Sequence, residues 1–293
     1  MSQEQEPKPW YKHFYETNLN YLLFIPMLML LLAIFQISYQ VATTGDFVQR
    51  GVSLKGGSTI TIPNKVVNIE ALQSYLTSQL PNVEVRSINN EKGVIIEAAD
   101  VQVTTLLKTV ESQTGTLDPR DYAAREIGSS LGSSFFIQLI WAMLLSFVLM
   151  ALVVLLTFRT LAPSAAVILA AFSDIIVTLA IFNILGMKLS SAGIAGFLML
   201  IGYSVDTDIL LTTNVIRKRH PPLWDRIYMS ITTGMTMLTC TLSAVIVSLL
   251  LFHSETIQQI MLIILIGLLV DMIMTWIQNV ALLKWYADKK GIV

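Results

Sequence analysis

The sequence predicts a helical integral membrane protein with six transmembrane helices plus one α+β, ferredoxin-like domain outside the bilayer. Three observations predict it. Of 293 residues, 54% are hydrophobic and 13% charged, against roughly 25% charged in a soluble domain. Six apolar stretches reach the roughly 20 residues that a spanning helix needs. One long hydrophilic segment separates the first stretch from the other five.

The first stretch, 19–39, follows a solvated tail, 1–18, whose Lys8 and Lys12 resemble the flank of a signal peptide. Its apolar run is longer than the roughly 7–15 residues of a signal core, which predicts a retained helix. Residues 40–130 hold 8 basic and 10 acidic residues and no long apolar run, so they are expected to fold as one domain. Within it 58–62 alternates as a strand, and 68–80 has helical spacing with Asn68 as N-cap. Strands at 83–88 and 94–97 flank a turn at Asn89 and Asn90. Asp100 is placed to cap a second helix reaching about residue 113. A last strand, 121–127, follows the turn at Asp118 and Pro119. This βαββαβ order is the split-βαβ pattern. The segment contains no His or Cys, so binding or mechanics is expected of it rather than catalysis.

The remaining stretches, 136–158, 161–185, 191–216, 227–252 and 257–284, make a five-helix bundle over 131–285, with a short tail at 286–293. Lys and Arg in short loops set the orientation. With the N-terminus inside, the inner segments hold Lys8, Lys12, Arg159, Arg217, Lys218, Arg219, Arg226, Lys284, Lys289 and Lys290, and the short outer loops hold only Lys188. Both termini are therefore expected on the cytoplasmic side of the cell membrane, with 40–130 outside. A net charge of −1 gives no electrostatic case for a nucleic-acid partner. The single cysteine, Cys240, excludes an intrachain disulfide and a cysteine-based metal cluster, and reads as a small buried hydrophobe.

Charge inside the spans is the informative signal. An ionised side chain at the bilayer centre costs roughly 2.5–3.5 kcal/mol on insertion scales and marks a pathway by default. Asp174, Asp206, Asp208 and Asp271 lie within spans, and no Lys, Arg or His falls inside the three cores that carry them. Acids without a cationic partner are suited to picking up and releasing protons. On one helix Asp206 and Asp208 point about 200° apart, so they can share a proton or a metal only if the helix breaks. Gly202, with Gly193 and Gly196 before it, allows close packing or local unwinding near Asp206. The next span presents Thr232, Thr236, Thr239 and Ser243 at spacings of four, three and four. This polar stripe either faces Asp206 or satisfies its own i−4 carbonyls.

These residues point to a family. Gly51-Val52-Ser53-Leu54-Lys55-Gly56-Gly57 resembles the Gly-Ile-Asp-Phe-x-Gly-Gly signature of the SecD/SecF family, with Ser53 at the acidic position and an archaeal-looking Lys-Gly-Gly. Ile127-Gly128-Ser129-Ser130-Leu131-Gly132 is similar to the family's Val-Gly-Pro-Ser-Leu-Gly, with Ser129 in place of Pro. Gly202-Tyr203-Ser204-Val205-Asp206-Thr207-Asp208 resembles the family's motif of the fourth span. The length matches the shorter, SecF branch. The resemblance implies an auxiliary subunit of the Sec protein translocase, within the resistance-nodulation-division superfamily. Such a subunit acts with SecD beside the Sec translocon channel, contacts unfolded exported polypeptide and membrane lipid, and uses the proton-motive force. No catalytic residue, cofactor or metal is implied. Asp206 matches the family's proton-pathway aspartate. The Arg-Thr pair of many bacterial members stands here as Thr232-Thr233, which shifts weight to hydroxyls, water or a SecD residue. Gly51, Gly56, Gly57, Gly128 and Gly132 are candidate hinges through which protonation of Asp206 tilts the outer domain. Two rival classes are a small-molecule or lipid exporter of the same superfamily and an intramembrane aspartyl protease pairing Asp174 with Asp206.

Overall fold

The structure, a computed structural model, describes residues 9–63, 68–80, 82–88, 93–252 and 254–291. Among these residues, six helical segments are long and apolar enough to cross a membrane. The first is built of α1 (Trp10–Leu22) and α2 (Phe24–Thr44). The break between them, at Leu23, has a local cause: Pro26 has no N–H to offer the Leu22 carbonyl. Residues 10–18, expected as a solvated tail, are helical. Tyr15 and Leu19, one turn apart, dock on the bundle: Leu19 is buried, and the Tyr15 ring meets Trp224 edge-on at 6.0 Å.

After α2 comes the short α3 (Val52–Lys55), then β1 (Gly57–Ile62), α4 (Ile69–Gln79), β2 (Val83–Ile88), β3 (Gly93–Ala99), α5 (Val103–Thr114) and β4 (Ala123–Ile127). The sheet is antiparallel throughout, in the order β2-β3-β1-β4. Alternation along β1 decides which face is covered. Ile60 and Ile62 join Leu72, Leu76, Leu106 and Val110 in a core under α4 and α5, while Thr59 and Thr61 point to the other face. Asn68 caps α4, its side chain accepting from the Ala71 N–H at 3.1 Å. Asp100 does not cap α5. It sits in a turn at φ +57°, and Glu126 on β4 accepts from the Val103 N–H instead. The expected turn at Asn89 and Asn90 lies outside the described residues, as do Lys8 and residues 292 and 293.

The bundle consists of α6 (Ser129–Phe158), α7 (Leu161–Ile184), α8 (Ser191–Ile216), α9 (Leu223–Leu251) and α10 (Glu255–Ile273). A π-helical turn, Met274–Asn279, leads into α11 (Val280–Lys290), so much of the expected C-terminal tail is helical. The helices divide into two shells. In α7, α8 and the α10–α11 segment, 56%, 56% and 50% of the most apolar stretch is buried, against 11%, 6% and 17% in α1–α2, α6 and α9. Where the chain enters and leaves the sheet domain, α3 lies flush on the start of α6. A Cβ on Gly56 (φ +91°) would stand 2.3 Å from the Ser129 Cα, and one on Gly132 would stand 2.6 Å from the Gly56 nitrogen. These two glycines serve a close backbone crossing.

Candidate functional site

The three inner helices carry the acids. The buried face of α7 is made of small residues around Asp174, including Ala170, Ala171 and Ser173. Small side chains let helix backbones approach closely. α8 buries Ser204 and Asp208 on one side, and α10 brings Asp271 to the same depth. Asp174, Asp208 and Asp271 are all fully buried, and they meet. The Ser204 hydroxyl donates to Asp174 Oδ2 at 2.5 Å, and Asp174 and Asp271 lie within hydrogen-bond reach of one another. Thr275 Oγ1 stands 3.0 Å from Asp271 Oδ1 and 3.0 Å from Asp208 Oδ1. Asn279 Nδ2 donates to the same Asp208 oxygen at 2.6 Å. A continuous polar chain therefore crosses the core of the bundle from α7 to α8. Among the described residues, no basic side chain contributes to the electrostatics of these three acids.

The π turn explains how one helix supplies three members of this chain. Eight residues of α-helix turn through about 800°, which would leave Asn279 about 80° off the face of Asp271. A π turn holds an extra residue, takes up that excess and returns Asn279 to the face shared by Asp271 and Thr275. Thr275, Gln278 and Asn279 are all fully buried there, and Gln278 donates to Ser173 on α7 at 3.3 Å.

Asp206 is not part of this cluster. α8 runs unbroken, so the 200° separation holds: Asp208 faces inward, while Asp206 is exposed on the outside of the bundle together with Gly202 and Tyr203. A Cβ on Gly202 would meet nothing within 4 Å, so the close packing allowed by the sequence there does not occur among the described residues. The α9 stripe is also turned outward. Thr232, Thr236, Thr239 and Ser243 are exposed, and each donates to its own i−4 carbonyl at 2.7–2.9 Å. Cys240, expected as a buried hydrophobe, shares that exposure, because it stands beside Thr239 on an outer-shell helix. Asp174 is buried and Asp206 is exposed on the far side of α8, so the pair that the aspartyl-protease reading drew on does not face.

Arg226, counted in the sequence among the charges of the inner loops, is not a loop charge in contact with water. Its side chain is buried at the start of α9, where Nη1 donates to the carbonyls of Val215 and Lys218 and so closes the C-terminal end of α8.

The inner helices meet the segment after α2 and the sheet domain around the short loop between α7 and α8, where Val48 and Leu54 also pack on Phe182, Ile194 and Ile263. Leu189 exchanges backbone hydrogen bonds with the segment after α2: Leu189 N–H donates to Gln49 and its carbonyl accepts from Gly51. Lys188 forms an ion pair with Glu84 on β2. The Ser191 N–H donates to Ser53 Oγ at 3.3 Å, so the residue that departs from the acidic signature caps the first residue of α8. Gln259 of α10 binds the Lys188 carbonyl at 2.7 Å and the Ser190 N–H at 3.1 Å. Between this loop and the uncovered face of the sheet lies a cavity of about 880 Å³, whose lining includes Thr59, Arg86, Glu97, Arg125 and Gln258. Burial pushes the Glu97 carboxyl above its ordinary value. Glu84 feels the same push from burial, but the Arg86 and Lys188 charges outweigh it and hold Glu84 below the usual range.

Comparison with known proteins places the chain. Residues 106–289 match the family model described as "Protein export membrane protein SecD/SecF, C-terminal". A protein named protein-export membrane protein SecF from Methanolacinia petrolearia is 35% identical over 91% of this chain and 93% of its own length. The protein of the same name from Pyrococcus furiosus is 34% identical over 94% of this chain and 93% of its own. Among solved structures, SecDF from Thermus thermophilus, titled a translocon-associated membrane protein, superposes with a TM-score of 0.72 at 19% identity, covering 97% of this chain. The chain spans 39% of that SecDF chain.

Proposed function

The chain belongs to the SecD/SecF family of protein-export membrane proteins, and from that premise we propose that it is the smaller partner of a SecD subunit and draws exported polypeptide outward using the proton-motive force. The observation that carries the mechanism is the buried chain Asp174–Ser204–Asp271–Thr275–Asp208–Asn279, which ties α7, α8, α10 and its π turn together with no basic side chain among the described residues. Here the proton-holding site is that cluster. Asp206, on the opposite side of α8, belongs to the face that a SecD helix covers, along with Gly202 and the α9 hydroxyls. Moving one proton inward through about 100 mV releases roughly 2.3 kcal/mol. Loading or unloading the cluster changes how α7, α8 and α10 pack. The loop of Lys188 and Leu189, gripped by Gln259, passes that change to the sheet domain.

In this reading both termini are cytoplasmic, and the domain over 40–130 is a ferredoxin-like module outside the membrane, with the 880 Å³ cavity beneath its open face. That module contacts the emerging unfolded chain, and the bundle meets the translocon channel and lipid. The test is export of a reporter into vesicles containing the chain and its SecD partner, with and without an imposed proton gradient. Asp208→Asn is expected to abolish the gradient-dependent part. Gradient-dependent export equal to wild type in both Asp208→Asn and Asp271→Asn would overturn the reading.

A further inference from the structure

We propose that Thr275 is a positioning residue that shares one proton between Asp208 and Asp271, making the contact between α8 and α10 a clamp that closes when that proton is held. This rests on the proton-holding reading of the cluster and names the group through which the proton is shared.

The argument is an inventory of hydrogens. A threonine hydroxyl donates one proton and accepts on its lone pairs. Thr275 Oγ1 is 3.0 Å from an oxygen of each of two different carboxyl groups. With both groups ionised the hydroxyl satisfies one of them and faces the other lone pair to lone pair. Both contacts are hydrogen bonds together only when one carboxyl carries a proton and donates it to Oγ1 while Oγ1 donates onward. Asn279 orders the pair. Its amide N–H already donates to Asp208 Oδ1 at 2.6 Å, which makes Asp208 the accepting end and Asp271 the donating end of the bridge.

A shift of the proton along the bridge balances. The O–H bond of Asp271 breaks as one forms on Thr275 Oγ1, the O–H bond of Thr275 breaks, and one forms on Asp208, with no net change in atoms or electrons. Two independent features show that Thr275 is placed for this contact. On α9, Thr232, Thr236 and Thr239 turn their hydroxyls back to the i−4 carbonyl, whereas Thr275 directs its hydroxyl to two side chains. The π turn beginning at Met274 holds Thr275 and Asn279 on the Asp271 face. Asn279 Oδ1, fully buried beside Asp208, has no hydrogen-bond partner among the described residues, so this end of the chain still offers an acceptor. The titratable groups facing the bridge from the packed elements are Asp174 on α7, Asp208 on α8 and Asp271 on α10. Near the bridge, α9 contributes Gly234, against Thr207 and Trp276.

The experiment is infrared difference spectroscopy of the full chain in lipid vesicles, following the carbonyl stretch of protonated carboxylic acids as pH is varied. The band lost in Asp271→Asn identifies the proton of the bridge. In Thr275→Val, which keeps the shape and removes the hydroxyl, that band is expected to move to the position of a carboxyl without a hydrogen-bond acceptor and to change its titration midpoint. Thr275→Ser is expected to restore both. A Thr275→Val band identical to wild type in position and midpoint would overturn the proposal, as would a Thr275→Ser band that behaves like valine in a chain that still folds. Failure of the export reading is separate. If the spectra behave as expected and gradient-driven export survives both Asp208→Asn and Asp271→Asn, the bridge stands and the coupling role falls.

Discussion

The interior of the bundle and the outer face of α9 are both polar in an otherwise apolar protein, yet their polar groups are satisfied in opposite ways. On α9 each hydroxyl bonds a carbonyl of its own helix four residues back and is complete without a neighbour. In the interior the bonds run between helices: Ser204 to Asp174, Thr275 to Asp208, Asn279 to Asp208, Gln278 to Ser173. Removing one member there leaves a buried partner exposed to nothing, whereas removing an α9 hydroxyl leaves only one carbonyl facing its own helix bond. The same division runs through α8, whose Asp208 belongs to the interior and whose Asp206 belongs to the outside.

The sharpest way to break this comparison is Asp208→Leu. It strips the acceptor from Asn279 and one of the two acceptors of Thr275, which keeps Asp271 at 3.0 Å, and a buried group left unpaired costs about 1–3 kcal/mol. A large fall in the melting temperature of the solubilised chain is expected. No change would show that the interior bonds are incidental. Asn279→Leu removes one donor and should cost about 1–3 kcal/mol in the same measurement. On the outer face, Thr236→Val and Thr239→Val are expected to stay within about 0.5 kcal/mol of wild type in the isolated chain. They should weaken co-purification with SecD, as should Asp206→Asn. A destabilised isolated chain would place the stripe in this bundle's own packing.

The smallest effect lies at the loop. The Glu84 carboxyl is held below its ordinary value in the folded protein, so its contribution is whole above about pH 4.3 and is lost as pH falls below that. The partly exposed Lys188 pair is worth at most about 1 kcal/mol. Acidification should therefore loosen the sheet domain slightly, seen as faster proteolysis, and Glu84→Gln should remove the pH dependence.

Much of the frame was legible because it rests on local patterns. Length and hydropathy locate spans, alternation locates β1, and Asn68 caps α4 as its position suggests. Asp100 failed as a cap because a left-handed turn and a distant Glu126 took over, and tertiary contacts of that kind leave no local mark. The acids were visible as charges within spans, but their grouping was not. Helical geometry separates Asp206 from Asp208 by about 200° without saying which one looks inward. That depends on α8 lying between α7 and α10. The α9 spacing describes a stripe and not the direction it faces. The π turn was hidden because the α-helical period assigns Asp271, Thr275 and Asn279 to a drifting line. Polar residues at intervals of four and four, with Gln278 beside them in an apolar span, were the signal that the helix changes its period to keep them together. Tyr15 and Leu19 similarly turn an expected tail into helix by giving it something to pack on.

The central claim is that protons are held in the interior cluster and not on the α9 face. The most direct measurement is proton entry into vesicles containing the chain and SecD, followed with a pH-sensitive dye under an imposed gradient. The account predicts that entry stops in Asp208→Asn and Asp271→Asn and continues in Thr236→Val. Undiminished proton entry in both aspartate variants would contradict it.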